Sequence, residues 1–188
     1  MPFNQQILRE LLQQIRVQDH PFITIDGPCA SGKTTLAAQL AEVLPAAVVH
    51  TDDYVVPYAL KTADRLAVPG GNCDAERLVR EVVIPWKQRR PVHIRRYDCK
   101  EDLLLPEESL PEKDVLILEG SYCNLPEIRQ EADLRIFLDI SREEQRARLL
   151  RRETPESLKR FDDRWLPLEE AYFSAYRLPD DGCIVISR

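Results

Sequence analysis

One eight-residue segment restricts the fold of this chain more than any other feature. Residues 27–34 read GPCASGKT, which fits the pattern G-x-x-x-x-G-K-[ST]. An apolar, strand-forming run from Phe22 to Ile25 precedes it, and a helical pattern from Lys33 to Val43 follows it. This strand–loop–helix context is the one that a phosphate-binding loop requires. The segment therefore predicts a buried strand, a tight loop and a helix at one edge of a sheet.

The residue types in this loop suit the phosphates of a nucleotide. Glycines let successive backbone N–H groups turn toward one anion, and the following helix adds its positive N-terminal end. Lys33 supplies a charge for the β- and γ-phosphates, and the Thr34 hydroxyl is placed to ligate Mg²⁺. The predicted phosphate-binding residues are Gly27, Pro28, Cys29, Ala30, Ser31, Gly32, Lys33 and Thr34.

Strands and helices alternate along the rest of the chain, which predicts an α/β fold with a parallel sheet. An uninterrupted apolar run at Val115–Leu118 and a largely apolar run at Leu134–Ile140 are typical of strands that are buried on both faces. Shorter strands are predicted at Ala47–His50 and Cys183–Ile186. Helices are predicted over residues 3–15, 74–86, 142–152 and 168–176, and residues 57–72 are predicted to be irregular.

Length and charge limit the class of protein. A chain of 188 residues with 44% hydrophobic residues suits one compact domain over residues 1–188. A net charge of −6 argues against a dedicated nucleic-acid binder. There is no apolar run of membrane-spanning length, no signal-peptide pattern at the start, and no C-x-x-C spacing among the five cysteines. We therefore expect a cytoplasmic protein that contacts neither a membrane nor nucleic acid.

Acidic residues follow the predicted strands, at the end where open α/β sheets bind ligands. Asp52 and Asp53 follow the second strand, and Glu119 follows the strand at 115–118. Phosphoryl transfer to a hydroxyl uses one carboxylate to orient or accept the hydroxyl proton and another near Mg²⁺. We expect Asp52 or Asp53 in the site and Glu119 near the metal; the alternatives are a capped turn and a solvent-facing charge. Asp26 is expected only to fix hydrogen bonds of the loop.

Positive charge is concentrated in two parts of this acidic chain, residues 87–100 and residues 142–164, which suggests contacts with an anionic ligand. Arg148, Arg151 and Arg152 lie on one predicted helix and could face a triphosphate when a lid closes. The alternative is a solvated helix face with ion pairs. Residues 151–164 are charged, interrupted by a proline and poor in apolar residues, so they are predicted to form a mobile lid.

Cys29 lies inside the loop and has two interpretations. The N-terminus of a helix lowers the pKa of a thiol, which would suit a redox role. Alternatively, the position accepts any small residue. The sequence leaves both interpretations open.

Five segments together resemble the uridine kinase-like group of P-loop small-molecule kinases, which is related to the nucleoside kinases. In chain order they are Asp26-Gly27 through Thr35, His50-Thr51-Asp52-Asp53-Tyr54, Arg96-Tyr97-Asp98, Leu118-Glu119-Gly120 and Arg148-Leu149-Leu150-Arg151-Arg152. The resemblance implies a three-layer P-loop NTPase fold, with a five-stranded parallel sheet flanked by helices and a small helical lid. It also implies that ATP with Mg²⁺ is the phosphoryl donor.

The resemblance also implies roles for particular residues. Asp52 would be the base for the acceptor hydroxyl, beside the phosphate-binding Lys33, and Thr35 would join the nucleotide contacts. The implied metal site consists of Thr34, Glu119 and Asp52. The implied acceptor contacts are Asp53, Tyr54, Tyr97, Asp98 and Glu119. Arg148 and Arg152 would act from the lid on the transferred phosphoryl group.

The chain departs from the family pattern after the Tyr-Asp element. Uridine kinases usually continue with Thr-His-Ser-Arg, whereas Cys99-Lys100-Glu101-Asp102 follows here, so the histidine that reads the pyrimidine is absent. Our leading hypothesis is an ATP-dependent kinase for a nucleoside or a similar hydroxyl compound. The alternatives are a kinase for a riboside cofactor precursor, a vitamin or a sugar, and an NTP-binding regulatory protein without an acceptor. The oligomeric state, monomer or homodimer, stays open.

Overall fold

The centre of the molecule is a five-stranded parallel sheet. The computed structural model describes residues 3–187. The strands are β1 (Phe22–Asp26), β2 (Ala46–His50), β3 (Val115–Glu119), β4 (Leu134–Asp139) and β5 (Cys183–Ser187). Their spatial order is β2-β3-β1-β4-β5, and each neighbouring pair is parallel. β1 and β3 are neighbours and are buried along their whole length, as their continuous apolar sequences require. The predicted α/β fold with a five-stranded parallel sheet is confirmed.

Helices pack on both faces of this sheet and give three layers. The longer helices are α1 (Gln5–Arg16), α2 (Lys33–Val43), α3 (residues 75–87), α4 (Arg142–Arg152) and α5 (residues 155–176). Apolar side chains of α1 and α2 share one core with Ile23 and Ile117, and those of α3 and α5 share another with Phe22 and Leu116. Successive side chains of a strand point to opposite faces, so the paired positions of β1 and β3 supply both cores.

Helix α5 differs most from its prediction over residues 168–176. It begins at Pro155, passes through a π-helical segment at Phe161–Trp165, and continues as Leu166–Tyr176. Pro155 starts the helix instead of interrupting it, because proline suits the first turn of a helix. The Thr154 side chain caps this first turn by accepting a hydrogen bond from the Ser157 N–H at 3.2 Å. The first half of α5 is rich in charged residues, so the sequence has no apolar periodicity there from which a helix could be predicted.

The remaining helices and strands are short. Helix α3 consists of Ala75–Leu78, a π-helical Val79–Val83 and Ile84–Lys87, so it starts one residue after its predicted first residue. The segment predicted to be irregular contains small turns, and two ribbons connect α3 to β3. The short elements are Thr51–Tyr54, Tyr58–Leu60, Ala63–Ala67 and Pro126–Arg129, with His93–Ile94 paired to Glu108–Ser109 and Tyr97–Asp98 paired to Leu103–Leu104.

Candidate active site

A cavity of about 670 Å³ lies at the carboxyl ends of β1, β2 and β3. It is lined by residues of the loop after β1 and by residues that directly follow β2 and β3. This is where open parallel sheets bind ligands. The structure brings most of the predicted site residues together here. The predicted residues that line the cavity are Cys29, Ala30, Gly32, Lys33, Thr34, Thr35, Asp52, Glu119, Arg148 and Arg152.

The loop between β1 and α2 has the backbone geometry that its sequence predicts. Gly27 has φ +135° and Gly32 has φ +105°, a region that side chains disfavour. A Cβ atom at position 27 would lie 2.2 Å from the Leu138 carbonyl oxygen, so only glycine fits there. Lys33 curls back over the loop, and its Nζ donates to the carbonyl oxygens of Gly27 at 2.7 Å and Pro28 at 2.9 Å. These bonds hold the ammonium group over the phosphate-binding loop.

Glu119 connects the loop to the strand ends. It is the last residue of β3, is almost fully buried, and its Oε1 accepts a hydrogen bond from the Thr34 hydroxyl at 2.9 Å. The same oxygen lies 2.6 Å from Nδ1 of His50, the last residue of β2. This contact raises the pKa of His50 above its usual value. The carboxylate and the hydroxyl that the sequence assigns to one metal site are therefore neighbours.

Asp52 and Asp53 have different surroundings. Residues Thr51–Tyr54 form a tight helical turn instead of continuing β2, so strand alternation does not determine their directions. Asp52 lines the cavity, whereas Asp53 does not. Asp53 is half-buried, and burial raises its pKa although His50 and Arg96 oppose the shift. Of the two carboxylates, Asp52 is the one that faces the loop.

Besides Asp53, three of the predicted acceptor contacts do not line the cavity: Tyr54, Tyr97 and Asp98. Tyr54 is fully buried in the core. The Tyr97 ring is buried, and its hydroxyl donates to Asp102. Asp98 accepts hydrogen bonds from the N–H groups of residues 100 and 101 at 2.8 and 3.2 Å, which closes the tip of the ribbon. Tyr97 and Asp98 belong to the ribbon whose tip carries Cys99, and Cys99 lines the cavity.

Helix α4 presents its arginines to the loop. The Arg148 guanidinium donates to the carbonyl oxygens of Ala30 at 3.1 Å and Ser31 at 3.2 Å, and to Glu144 at 2.7 Å. Arg151 and Arg152 also line the cavity. With Lys33, four cationic side chains therefore line one cavity, together with the carboxylates of Asp52, Glu119, Glu144 and Glu169. The cationic side chains suit a triphosphate, and the carboxylates suit its metal ion and an acceptor hydroxyl.

Two acidic residues have roles that sequence reasoning did not find or found only in part. Asp26 is fully buried; its carboxylate accepts from the Gly27 N–H at 2.7 Å and the Tyr172 hydroxyl at 2.7 Å, and burial raises its pKa to about 6. Glu169 of α5 accepts from the Cys29 N–H at 2.9 Å and from the Ser121 hydroxyl. Helix α5 is therefore attached to the loop at two points, which no local motif indicates.

The surroundings of Cys29 predict a thiol that reacts slowly with alkylating reagents. Burial, followed by the charge of Glu169, raises its pKa to about 12, the opposite of what a redox role requires. At pH 8 we expect iodoacetamide to alkylate Cys29 roughly 10²–10³-fold more slowly in the folded protein than in the urea-unfolded chain. Mass spectrometry of time points measures this rate, and Cys99, which is exposed, serves as the internal reference. Rapid labelling of Cys29 in the folded protein would contradict the prediction.

The lid prediction concerns residues 151–164. The structure shows them as the end of α4 and the start of α5, and no residue of Pro155–Trp165 is buried. Segments with few buried apolar contacts open easily. We expect amide hydrogen exchange in 151–164 to slow when a non-hydrolysable ATP analogue and Mg²⁺ are added, while exchange in β3 stays unchanged. Exchange in 151–164 that is equally slow with and without the nucleotide would contradict the prediction.

The donor set fits a magnesium nucleotide. The loop offers backbone N–H groups and a lysine, and the Thr34 hydroxyl lies beside the Glu119 carboxylate. No group of three or more His, Cys, Asp or Glu side chains among residues 3–187 is arranged to hold a metal ion. Mg²⁺ in kinases uses only one or two carboxylates together with substrate phosphates and water. The few protein ligands here are therefore sufficient.

The fold and the loop define the class, a P-loop kinase, and the comparisons with known proteins give the same result. Residues 22–160, more than half of the chain, match the model of the Phosphoribulokinase / Uridine kinase family. The chain belongs to that family. No curated sequence matches the chain significantly. Within the part of the chain that the structure describes, no helix is long and apolar enough to cross a membrane.

Solved structures share this architecture over nearly the whole chain. One, described as a possible uridine kinase from Bacillus stearothermophilus, is 20% identical with a TM-score of 0.70, and covers 95% of this chain and 97% of its own. A candidate fructose transport system kinase from Silicibacter sp. TM1040 is 26% identical with a TM-score of 0.70, covering 94% and 98%. A D-glycerate 3-kinase from Cryptococcus neoformans is 12% identical with a TM-score of 0.66, covering 97% and 94%. At these identities the first and third show the fold alone.

Proposed function

We propose that this protein transfers the γ-phosphoryl group of ATP, with Mg²⁺, to a hydroxyl of a small molecule, most favourably a nucleoside or nucleoside-like compound. One observation carries the proposal. The Asp52 carboxylate lines the same cavity as Lys33 and Thr34 of the phosphate-binding loop. A hydroxyl held by Asp52 would therefore share one cavity with a nucleotide on the loop, as phosphoryl transfer requires.

The side chains divide the work between positioning and charge stabilisation. Magnesium-bound ATP supplies the phosphoryl group and neutralises part of its charge. Lys33 and the loop N–H groups hold the phosphates, Thr34 and Glu119 hold the metal, and Arg148 stabilises charge on the transferred group. Asp52 orients the acceptor hydroxyl and receives its proton. The proposal needs no nucleic acid, membrane or protein partner.

A sugar is the second candidate acceptor. The structure described as a fructose transport system kinase is 26% identical to this chain over almost the full length of both. This chain lacks the histidine that reads the pyrimidine in uridine kinases, and its absence is consistent with an acceptor that has no pyrimidine, such as a sugar. Both candidates use the same phosphoryl-transfer residues and differ only in the wall that contacts the acceptor.

An acceptor-stimulated ATPase assay tests the proposal. ADP release is measured with Mg²⁺-ATP alone and after addition of uridine, cytidine, adenosine, nicotinamide riboside, pantothenate, D-ribose or D-fructose. We expect at least one of these compounds to raise the rate and to gain one phosphate in the mass spectrum. Hydrolysis that no compound changes would contradict the kinase proposal and favour an NTP-binding regulatory protein. A preference for D-fructose over every nucleoside would select the sugar.

A further inference from the structure

Arg77 is a buried cation next to the proposed base, and the phosphoryl-transfer mechanism does not use it. It belongs to α3, and only 4% of its side chain is exposed. Its Nε donates to Asp74 at 3.0 Å, and Glu81 lies 3.5 Å away. The guanidinium also lies over the Tyr54 ring, 4.2 Å from its centroid. Two carboxylates and an aromatic face therefore compensate its charge.

The remaining donors of Arg77 connect two separate segments of backbone. One terminal nitrogen donates to the Asp53 carbonyl oxygen at 3.0 Å, in the turn that carries Asp52. The other donates to the Arg95 carbonyl oxygen at 2.5 Å, at the start of the ribbon that leads to Cys99. Asp52 and Cys99 both line the cavity. One guanidinium thus joins the segment that carries the base to the ribbon segment that carries another residue of the cavity wall.

Glu81 also binds Arg95, the residue through which Arg77 contacts the ribbon. Its carboxylate accepts from the Arg95 side chain at 2.9 Å and from the Arg95 backbone N–H at 3.2 Å. Both Arg77 and Glu81 therefore hold the backbone of residue 95. Only arginine has a rigid planar fork that reaches two carbonyl oxygens and a carboxylate together; the compact ammonium group of lysine keeps the charge and loses this geometry.

We propose that Arg77 is the positioning residue of the acceptor half of the site, setting the distance between Asp52 and the ribbon wall. The proposal rests on the kinase function proposed above. None of the contacts described for Arg77 involves the phosphate-binding loop, so its role concerns the acceptor and not ATP. A displacement of about 1 Å between reacting groups can cost roughly 10²-fold in rate.

The test is Arg77→Lys, assayed with whichever of the seven compounds named above gives the highest turnover in the wild type. We expect kcat/KM for the acceptor to fall by about 10–100-fold. We expect the ATP analogue to bind with a Kd within about threefold of the wild type, which a general loss of folding would not allow. Arg135→Lys is the matched control, because the Arg135 fork binds Asp180 at 2.7 and 2.9 Å, away from the cavity. The control should lower Tm and leave both constants unchanged.

A milder variant keeps the test decisive if Arg77→Lys does not fold. Glu81→Gln leaves Arg77 in place and weakens the hold on residue 95, so a smaller loss of the same acceptor-specific kind is expected. An unchanged acceptor kcat/KM in a folded variant, or equal losses for acceptor and nucleotide, would overturn the positioning role. A wild-type protein without acceptor-dependent activity would instead overturn the kinase proposal.

Discussion

Lys33→Ala is expected to lower the rate of phosphoryl transfer by at least about 10²–10³-fold, the size of effect seen when one preorganised donor is removed from a transition state. The Lys33 ammonium group lies over the phosphate-binding loop through hydrogen bonds to two of its carbonyl oxygens. Alanine removes this charge, and water can reach the two carbonyl oxygens from the cavity. Initial rates at saturating acceptor and a range of ATP concentrations measure the effect.

The fold should survive this substitution, since the hydrogen bonds of the Lys33 Nζ go to two carbonyl oxygens of its own loop and not to another helix or strand. Lys113→Ala is the matched control: it removes one lysine from an exposed position before β3, and both its turnover and its Tm should equal those of the wild type. Near wild-type turnover in Lys33→Ala would show that nucleotide phosphate binds elsewhere. A large fall in Tm would show that the lysine has a structural role.

Asp52→Asn is expected to lose turnover by roughly 10²–10⁴-fold, as when a general base is removed, while it binds ATP normally. Asparagine keeps the shape of the side chain and removes its proton-accepting charge. Asp52 faces the cavity but is not among the hydrogen-bond partners of Thr34, so nucleotide binding at the loop should be little affected. Turnover is measured with saturating ATP, and ATP binding is measured separately by calorimetry.

Asp53→Asn is the internal comparison for this prediction. Asp53 does not line the cavity, and its backbone carbonyl, which the substitution keeps, is what Arg77 binds. We therefore expect a smaller loss of turnover than for Asp52→Asn. If Asp53→Asn were inactive and Asp52→Asn active, the base would be Asp53. Activity in both variants would exclude a carboxylate base from this turn.

Local patterns were sufficient to predict the sheet and the loop. β1 and β3 are mostly apolar because both faces are covered, with polar residues buried only at Thr24, Asp26 and Glu119. The glycines of the loop occupy backbone conformations that other residues disfavour. The same reasoning placed Glu119 at a strand end, where the structure shows it hydrogen-bonded to Thr34. These features depend on neighbours in sequence or on the sheet order alone.

Contacts between distant segments could not be predicted in this way. Glu169 lies 140 residues from Cys29 in sequence, and nothing around it distinguishes it from a surface glutamate. Tyr97 stands in a motif shared with a family, yet its direction depends on a two-residue ribbon that has no sequence signature. Arg77 appears in sequence as one of several charges on a helix, and only the folded chain places two backbone carbonyls around it.

The contacts of helix α5 limit the insertions and deletions that the protein can tolerate. Phe161 and Trp165 line the cavity, and Glu169 and Tyr172, further along the same helix, hold the base of the loop. The number of residues between the two pairs sets their angular phase around the helix axis. Inserting or deleting one residue between Trp165 and Glu169 would rotate one pair relative to the other by about 100°. Substitutions are compatible with this helix, whereas a change of its length must detach either the aromatic pair from the cavity or the carboxylate and the phenol from the loop.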